Sequence, residues 1–117
     1  MRDGPRGRSQ RPAGPVVVAL PAEIDIANPD GVGEQLRSAV TPGVTIVIAD
    51  LTSTVFCDSS AMRHLLLAHD YAAGHDAQLR LAVPPGHVLR ILKLIGLDHL
   101  LAPYPSLAAA LTGDSPV

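Results

Sequence analysis

The chain has 117 residues, a formal net charge of −2, and 47% apolar against 17% charged side chains. That suffices for one domain with a buried core, is too short for two, and is too apolar for a chain disordered throughout. Aromatics make up only 3%, so the core must be built of Leu, Val, Ile and Ala, and a binder that stacks nucleic-acid bases on aromatic platforms is disfavoured.

The lone cysteine, Cys57, excludes an intrachain disulfide and any Cys-rich zinc site, and it fits a reducing, cytoplasmic setting. No apolar run approaches the roughly 20 residues of a membrane span, and the arginine-bearing start does not continue into the apolar stretch of a secretion signal. Charge divides the chain. Residues 1–15 hold Arg2, Arg6, Arg8 and Arg11 against Asp3, a net of +3, which leaves −5 on the rest. The expected organisation is a disordered basic leader over 1–15, one domain over 16–113, and a tail over 114–117. An acidic body disfavours a phosphate-backbone partner, so no direct nucleic-acid contact is expected.

Val16 to Leu20 is a β-branched run that reads as a strand buried on both faces. Ala22 to Ala27 reads as a polar turn. Asn28-Pro29-Asp30 then has the residues of a helix start: a side chain that caps free amides, a proline suited to the first helical position, and an acid at the positive end. That helix should run to about Val40, with Val32, Leu36, Ala39 and Val40 inward and Thr41-Pro42-Gly43 as its stop. Gly31 and Gly33 weaken its first turn by about 1 kcal/mol each relative to Ala. Val44 to Leu51 is the strongest strand, and Thr52 to Cys57 reads as a connector.

From Asp58-Ser59-Ser60 to Tyr71 the rhythm is helical. Ala61, Leu65, Ala68 and Ala72 form one stripe, flanked by Met62, Leu66 and Tyr71, and Gly74 is the expected end. Gln78 to Val83 is a third strand and His87 to Ile95 a third helix, closed by Gly96. A short strand near Leu100 to Tyr104 and a last helix over Ser106 to Leu111 complete the order. Regular alternation of strand and helix predicts a single layered α/β domain, with a small, mostly parallel central sheet and about four helices packed on it.

In such sheets, ligands and reactive groups gather at the carboxyl ends of the strands. Two segments fall there: Glu23-Ile24-Asp25 and Asp58-Ser59-Ser60. A hydroxyl at a helix N-terminus lies beside free amides and the positive end of the helix dipole, and both favour a phosphate placed on it. Asp58 suits a cap or a group that orients the hydroxyl. Read alone, the triplet also fits simple capping.

From Val16 to about Leu111 the chain resembles the STAS-domain family, and within it the anti-sigma factor antagonists of bacterial partner-switching systems. The residues that carry the resemblance are Glu23-Ile24-Asp25, the Ile46–Leu51 strand, Val55-Phe56-Cys57-Asp58-Ser59-Ser60-Ala61 leading into a leucine-rich helix, and Leu94-Ile95-Gly96-Leu97. Family members carry Asp-Ser-Ser-Gly or Asp-Ser-Thr-Gly at the third of these, with the first hydroxyl phosphorylated. Ala61 replaces the glycine here, and the hairpin that opens the family fold is represented only by Val16–Leu20.

The resemblance implies that the unmodified protein binds an anti-sigma factor that is also a serine kinase, freeing a sigma factor. Phosphorylation at Ser59 then releases it, and a serine phosphatase resets it. Glu23, Asp25, Asp58, Ser60, Ala61 and Met62 are the implied partner-binding residues. No catalytic activity, cofactor or metal is implied. The alternative is a non-switching STAS module for docking or small-ligand sensing, in which Ser59 is only a cap.

Other constellations point to bland roles. Ser59 and Ser60 lack the Gly-x-Ser-x-Gly elbow of a hydrolase, and His64 lies in the same helix. His64 and His69 are five apart rather than at the four-residue spacing that suits a metal, and with His75, His87 and His99 they read as solvated or capping. Gly31-Val32-Gly33 lacks the third glycine of a dinucleotide fingerprint. Cys57 reads as a small buried apolar residue. Arg63, one turn beyond Ser59, either faces that serine or is simply exposed.

Overall fold

A computed structural model describes residues 14–24 and 29–113. The leader to residue 13, Asp25 to Asn28 with its expected cap, and the tail from 114 lie outside the described residues. The elements are β1 (Val16–Ala19), β2 (Glu23–Ile24), α1 (Pro29–Ala39), β3 (Ile46–Asp50), β4 (Phe56–Cys57), α2 (Ser59–Ala73), β5 (Gln78–Ala82), α3 (His87–Leu94), a 3-10 turn (Leu97–His99), β6 (Ala102–Tyr104) and α4 (Leu107–Thr112). The main sheet has the order β1-β3-β5-β6, with every described pairing parallel. This is the layered α/β architecture expected from the alternation of elements.

The period of two along β3 separates the two sides of the sheet. Val47 and Ala49 join the large core with Val32 and Leu36 of α1, Leu65 and Ala68 of α2, and Val88 and Leu92 of α3. Ile48 points the other way, into a smaller cluster with Ala82, Tyr104 and Ala110 of α4. Thus the middle of β3, Val47 to Ala49, is buried on both faces of the sheet.

The reading of Val16 to Leu20 as a strand buried on both faces fails for β1. Its residues alternate between half-buried and exposed, and Val17 is 40% exposed. The reason is tertiary. β1 closes one side of the four-strand order, and the short α4 packs mainly over β3, β5 and β6. At the opposite edge lies β6, where Pro103 is tolerated because one side of an edge strand needs no amide donor.

α2 buries Ala61, Met62, Leu65, Ala68 and Ala72, the expected stripe with one flanking residue added. It ends at Gly74, as expected. Gly74 keeps a right-handed conformation (φ −68°), and the positive φ belongs to Asp76 (59°). Aspartate is among the few non-glycine residues that enter that region at modest cost. Gly33 has a packing role that its helix propensity conceals. A Cβ there would stand 3.0 Å from an Arg37 guanidinium nitrogen on the same helix and 3.3 Å from His64 Nδ1 of α2, so a larger residue would make these side-chain ends shift. Gly96 ends the α3 region in the left-handed conformation (φ 81°), which turns Leu97 back toward the core.

Candidate functional site: the start of the second helix

Two connectors leave the carboxyl ends of β1 and β3 and are laced together. Thr54, a buried polar residue, donates its hydroxyl to the Pro21 carbonyl at 2.8 Å. The Val55 amide donates to Ala22 O at 2.8 Å, and the Asp58 amide to Ile24 O at 3.1 Å. Between these bonds lies the two-residue ladder of β2 and β4, with Glu23 opposite Phe56 and Ile24 opposite Cys57. In sequence both segments read as non-strand, a polar turn and a connector. Two residues carry no periodicity, so only the pairing itself defines them.

This lacing fixes where α2 begins. Asp58 is extended (φ −87°, ψ 179°), and its carboxylate Oδ1 accepts the Ala61 amide at 3.0 Å, an N-cap. Ser59 is therefore the first helical residue. It is exposed, and its hydroxyl makes no hydrogen bond with the described residues. Ser60 is half-buried, and Glu23 is exposed on the neighbouring ladder strand. Arg63 is exposed one turn further along, on the same helix face as Ser59.

The expected docking set needs correction at two positions. Ala61 and Met62 are 0% and 1% exposed and belong to the main core. They lie two and three residues beyond Ser59, and at 100° per residue that rotation carries them to the inner face of α2. Asp25 lies outside the described residues. The ladder instead brings forward two side chains that sequence reasoning passed over: Val55 and Phe56 are 66% and 42% exposed. Their signal in the sequence was an apolar pair inside an otherwise polar connector. An exposed serine at a helix start thus sits beside an acidic residue and a small apolar patch, an arrangement suited to protein contact.

Cys57 faces inward, 3% exposed. Burial first, and the Asp58 carboxylate second, push its thiol from 9.0 up to about 12. The fold thus favours the neutral thiol. That contribution to stability is fully present below pH 9 and is lost as pH rises toward 12. Thiolate is the reactive form, so the folded protein should react with a disulfide reagent at pH 8 at least about a hundredfold more slowly than the urea-unfolded chain. Absorbance of the released thiol chromophore measures this, and equal rates would contradict the burial.

No helix of the described residues is long and apolar enough to cross a membrane. The described residues also contain no group of three or more His, Cys, Asp or Glu side chains placed to hold a metal.

Relatives of the chain bear on its family and fold. It is 39% identical over 64 residues to a STAS-domain containing protein of Pseudomonas aeruginosa, a match that spans 55% of this chain and 61%, under two thirds, of that protein. In structure it is similar to an anti-sigma factor antagonist from Mycobacterium paratuberculosis, with a TM-score of 0.77, 23% identity, and 86% and 85% of the two chains covered. It is also similar to a sulfate transporter family protein from Wolinella succinogenes, with a TM-score of 0.69, 16% identity, and 95% and 94% covered. At such identities the two likenesses establish the fold. The STAS-domain family model matches residues 8–110, most of the chain, and with the laced ladder and the capped serine in place the conclusion is direct: the chain belongs to the STAS-domain family.

Proposed function

We propose that the protein is an anti-sigma factor antagonist of a partner-switching system, acting by binding rather than catalysis, in the cytoplasm. Its unmodified form binds an anti-sigma factor that is also a serine kinase, and a sigma factor is freed. The kinase then transfers the γ-phosphoryl group of ATP to Ser59 Oγ. The new O–P bond forms as the bond between the β–γ bridging oxygen and the γ-phosphorus breaks, ADP leaves, and the serine proton passes to the kinase's base. A serine phosphatase returns the hydroxyl.

The observation that carries this reading is the exposed Ser59 at the head of a helix whose start is pinned by Asp58 and the ladder. Glu23, Asp58 and Ser60 border the contact, and Val55 and Phe56 supply its apolar part. A helix N-terminus accommodates a phosphate through its free amides and dipole, so modification there need not disturb the fold.

A second reading is a docking or sensing module without a switch, in which Asp58 and Ser59 merely begin a helix. It draws support from the likeness to the sulfate transporter family protein. Incubation with the cognate anti-sigma kinase and ATP separates the two. Intact-mass measurement is expected to show a gain of one phosphate on the wild type and none on Ser59→Ala. An unmodified wild type, or a phosphate retained by the variant, removes the switch.

A further inference from the structure

The outer side of α3 departs from the acidic character of the body. Arg90 and Lys93 are exposed one turn apart, and neither makes an ion pair among the described residues. Of the other cations beyond residue 15, Arg80 donates to the Ala110 carbonyl at 2.8 Å, Arg37 is half-buried, and Arg63 is exposed on α2. A groove of about 420 Å³ runs beside the α3 pair, lined by Pro85, Gly86, Leu89, Arg90, Lys93 and Leu94. Leu94 is 73% exposed, and Ile95 and Leu100, just beyond, are exposed as well. Large aliphatic side chains gathered at the surface mark contact sites.

We propose that this groove docks an acidic amphipathic helical segment of a partner protein. Apolar side chains of the segment seat between Leu89 and Leu94, and its carboxylates meet Arg90 and Lys93. Charge selects this occupant. In a body of net −5, two cations beside an apolar trough attract a carboxylate-flanked apolar helix. A short segment seated in the groove meets those two cations alone, whereas a phosphate backbone or an anionic membrane extends its charge over the acidic remainder of the surface. None of the residues assigned to the Ser59 contact takes part, so the inference stands apart from the switch.

The test uses the intact 117-residue chain, with amide shifts recorded during titration by a synthetic helical peptide that has leucine at every third or fourth position and glutamate between. A second peptide carries lysine in place of glutamate. Saturable shifts confined to the α3 region are expected with the glutamate peptide only. Arg90→Glu combined with Lys93→Glu should raise Kd by about tenfold or more, two exposed ion pairs' worth. Leu94→Ser should weaken binding as well, while Ser59→Asp should leave it unchanged. The exposure of all three α3 positions means that these variants keep the fold, which their melting temperatures check. The proposal is overturned by an absence of saturation, by equal response to the lysine peptide, or by undiminished affinity in the charge-reversed protein. Shifts that track the protein's own concentration, or binding to phosphatidylglycerol vesicles in place of the peptide, overturn it as well.

Discussion

Ser59→Asp is expected to fold as the wild type does and to lose its anti-sigma partner by at least about a hundredfold in affinity. Two effects of one added negative charge oppose each other, and their sizes decide the outcome. At the first residue of α2, an exposed position, an anion gains about 0.3–1 kcal/mol from the helix dipole. The melting temperature should therefore stay level or rise by a few degrees. In the complex proposed above, the same charge would be pressed against a partner that accommodates a neutral hydroxyl, and an unpaired charge buried at an interface costs about 3–5 kcal/mol. Every 1.4 kcal/mol is tenfold, so the interface effect exceeds the helix effect. The neighbouring acids Glu23 and Asp58 add repulsion of the same sign. Titration calorimetry against the anti-sigma factor, beside a melting curve of each protein, checks both halves. A variant that unfolds, or one that binds within a few-fold of wild type, contradicts the switch.

What made α2 readable was its spacing. Ala61, Leu65, Ala68 and Ala72 recur at three and four residues, and the structure buries all four. That stripe already conflicted with placing Ala61 on a docking surface, because a residue on the inner face of a helix cannot also meet a partner. The motif's contiguity in sequence drew Ala61 and Met62 into the site, and the helical rotation removes them. The failure at β1 is of another kind. Val16 to Leu20 has the composition of a central strand, yet whether a strand is central depends on strand order and on which face the last helix covers. No local pattern encodes either.

The ladder between Glu23-Ile24 and Phe56-Cys57 shows why part of the site stayed hidden. Its register follows from hydrogen bonds between connectors that lie more than thirty residues apart in sequence, such as Thr54 to Pro21. Those bonds expose Val55 and Phe56 beside Ser59. The chemistry of the serine was thus legible from its neighbours in sequence, whereas the apolar ground around it was not.

If α2 is the rigid platform of this surface, its core contact should control stability separately from recognition, and Leu65→Ala is the sharpest test. Leu65 is fully buried and lies in the same core as α1 and the sheet. Truncating such a leucine removes its transfer energy and leaves a partly collapsed cavity, a loss of about 2–5 kcal/mol. Against a total of about 5–15 kcal/mol, that is a large share. With about 4–8 °C per kcal/mol in a domain near this size, the melting temperature should fall by roughly 8–40 °C. Leu67→Ala supplies the control. It makes the same chemical change two residues away at a position 45% exposed, and it should stay within about 0.5 kcal/mol of wild type. Urea unfolding of the three proteins measures the difference, which should appear as a lower midpoint for Leu65→Ala at unchanged slope. Below its transition that variant should still bind the proposed anti-sigma partner with wild-type affinity per folded molecule, since Leu65 is buried within the core. The pair Leu65→Ala and Ser59→Asp then dissociates the two roles of one helix, the first losing stability without recognition and the second recognition without stability. A Leu65→Ala protein within 1 kcal/mol of wild type would mean that α2 is not packed as described, and the pinned presentation of Ser59 would fall with it.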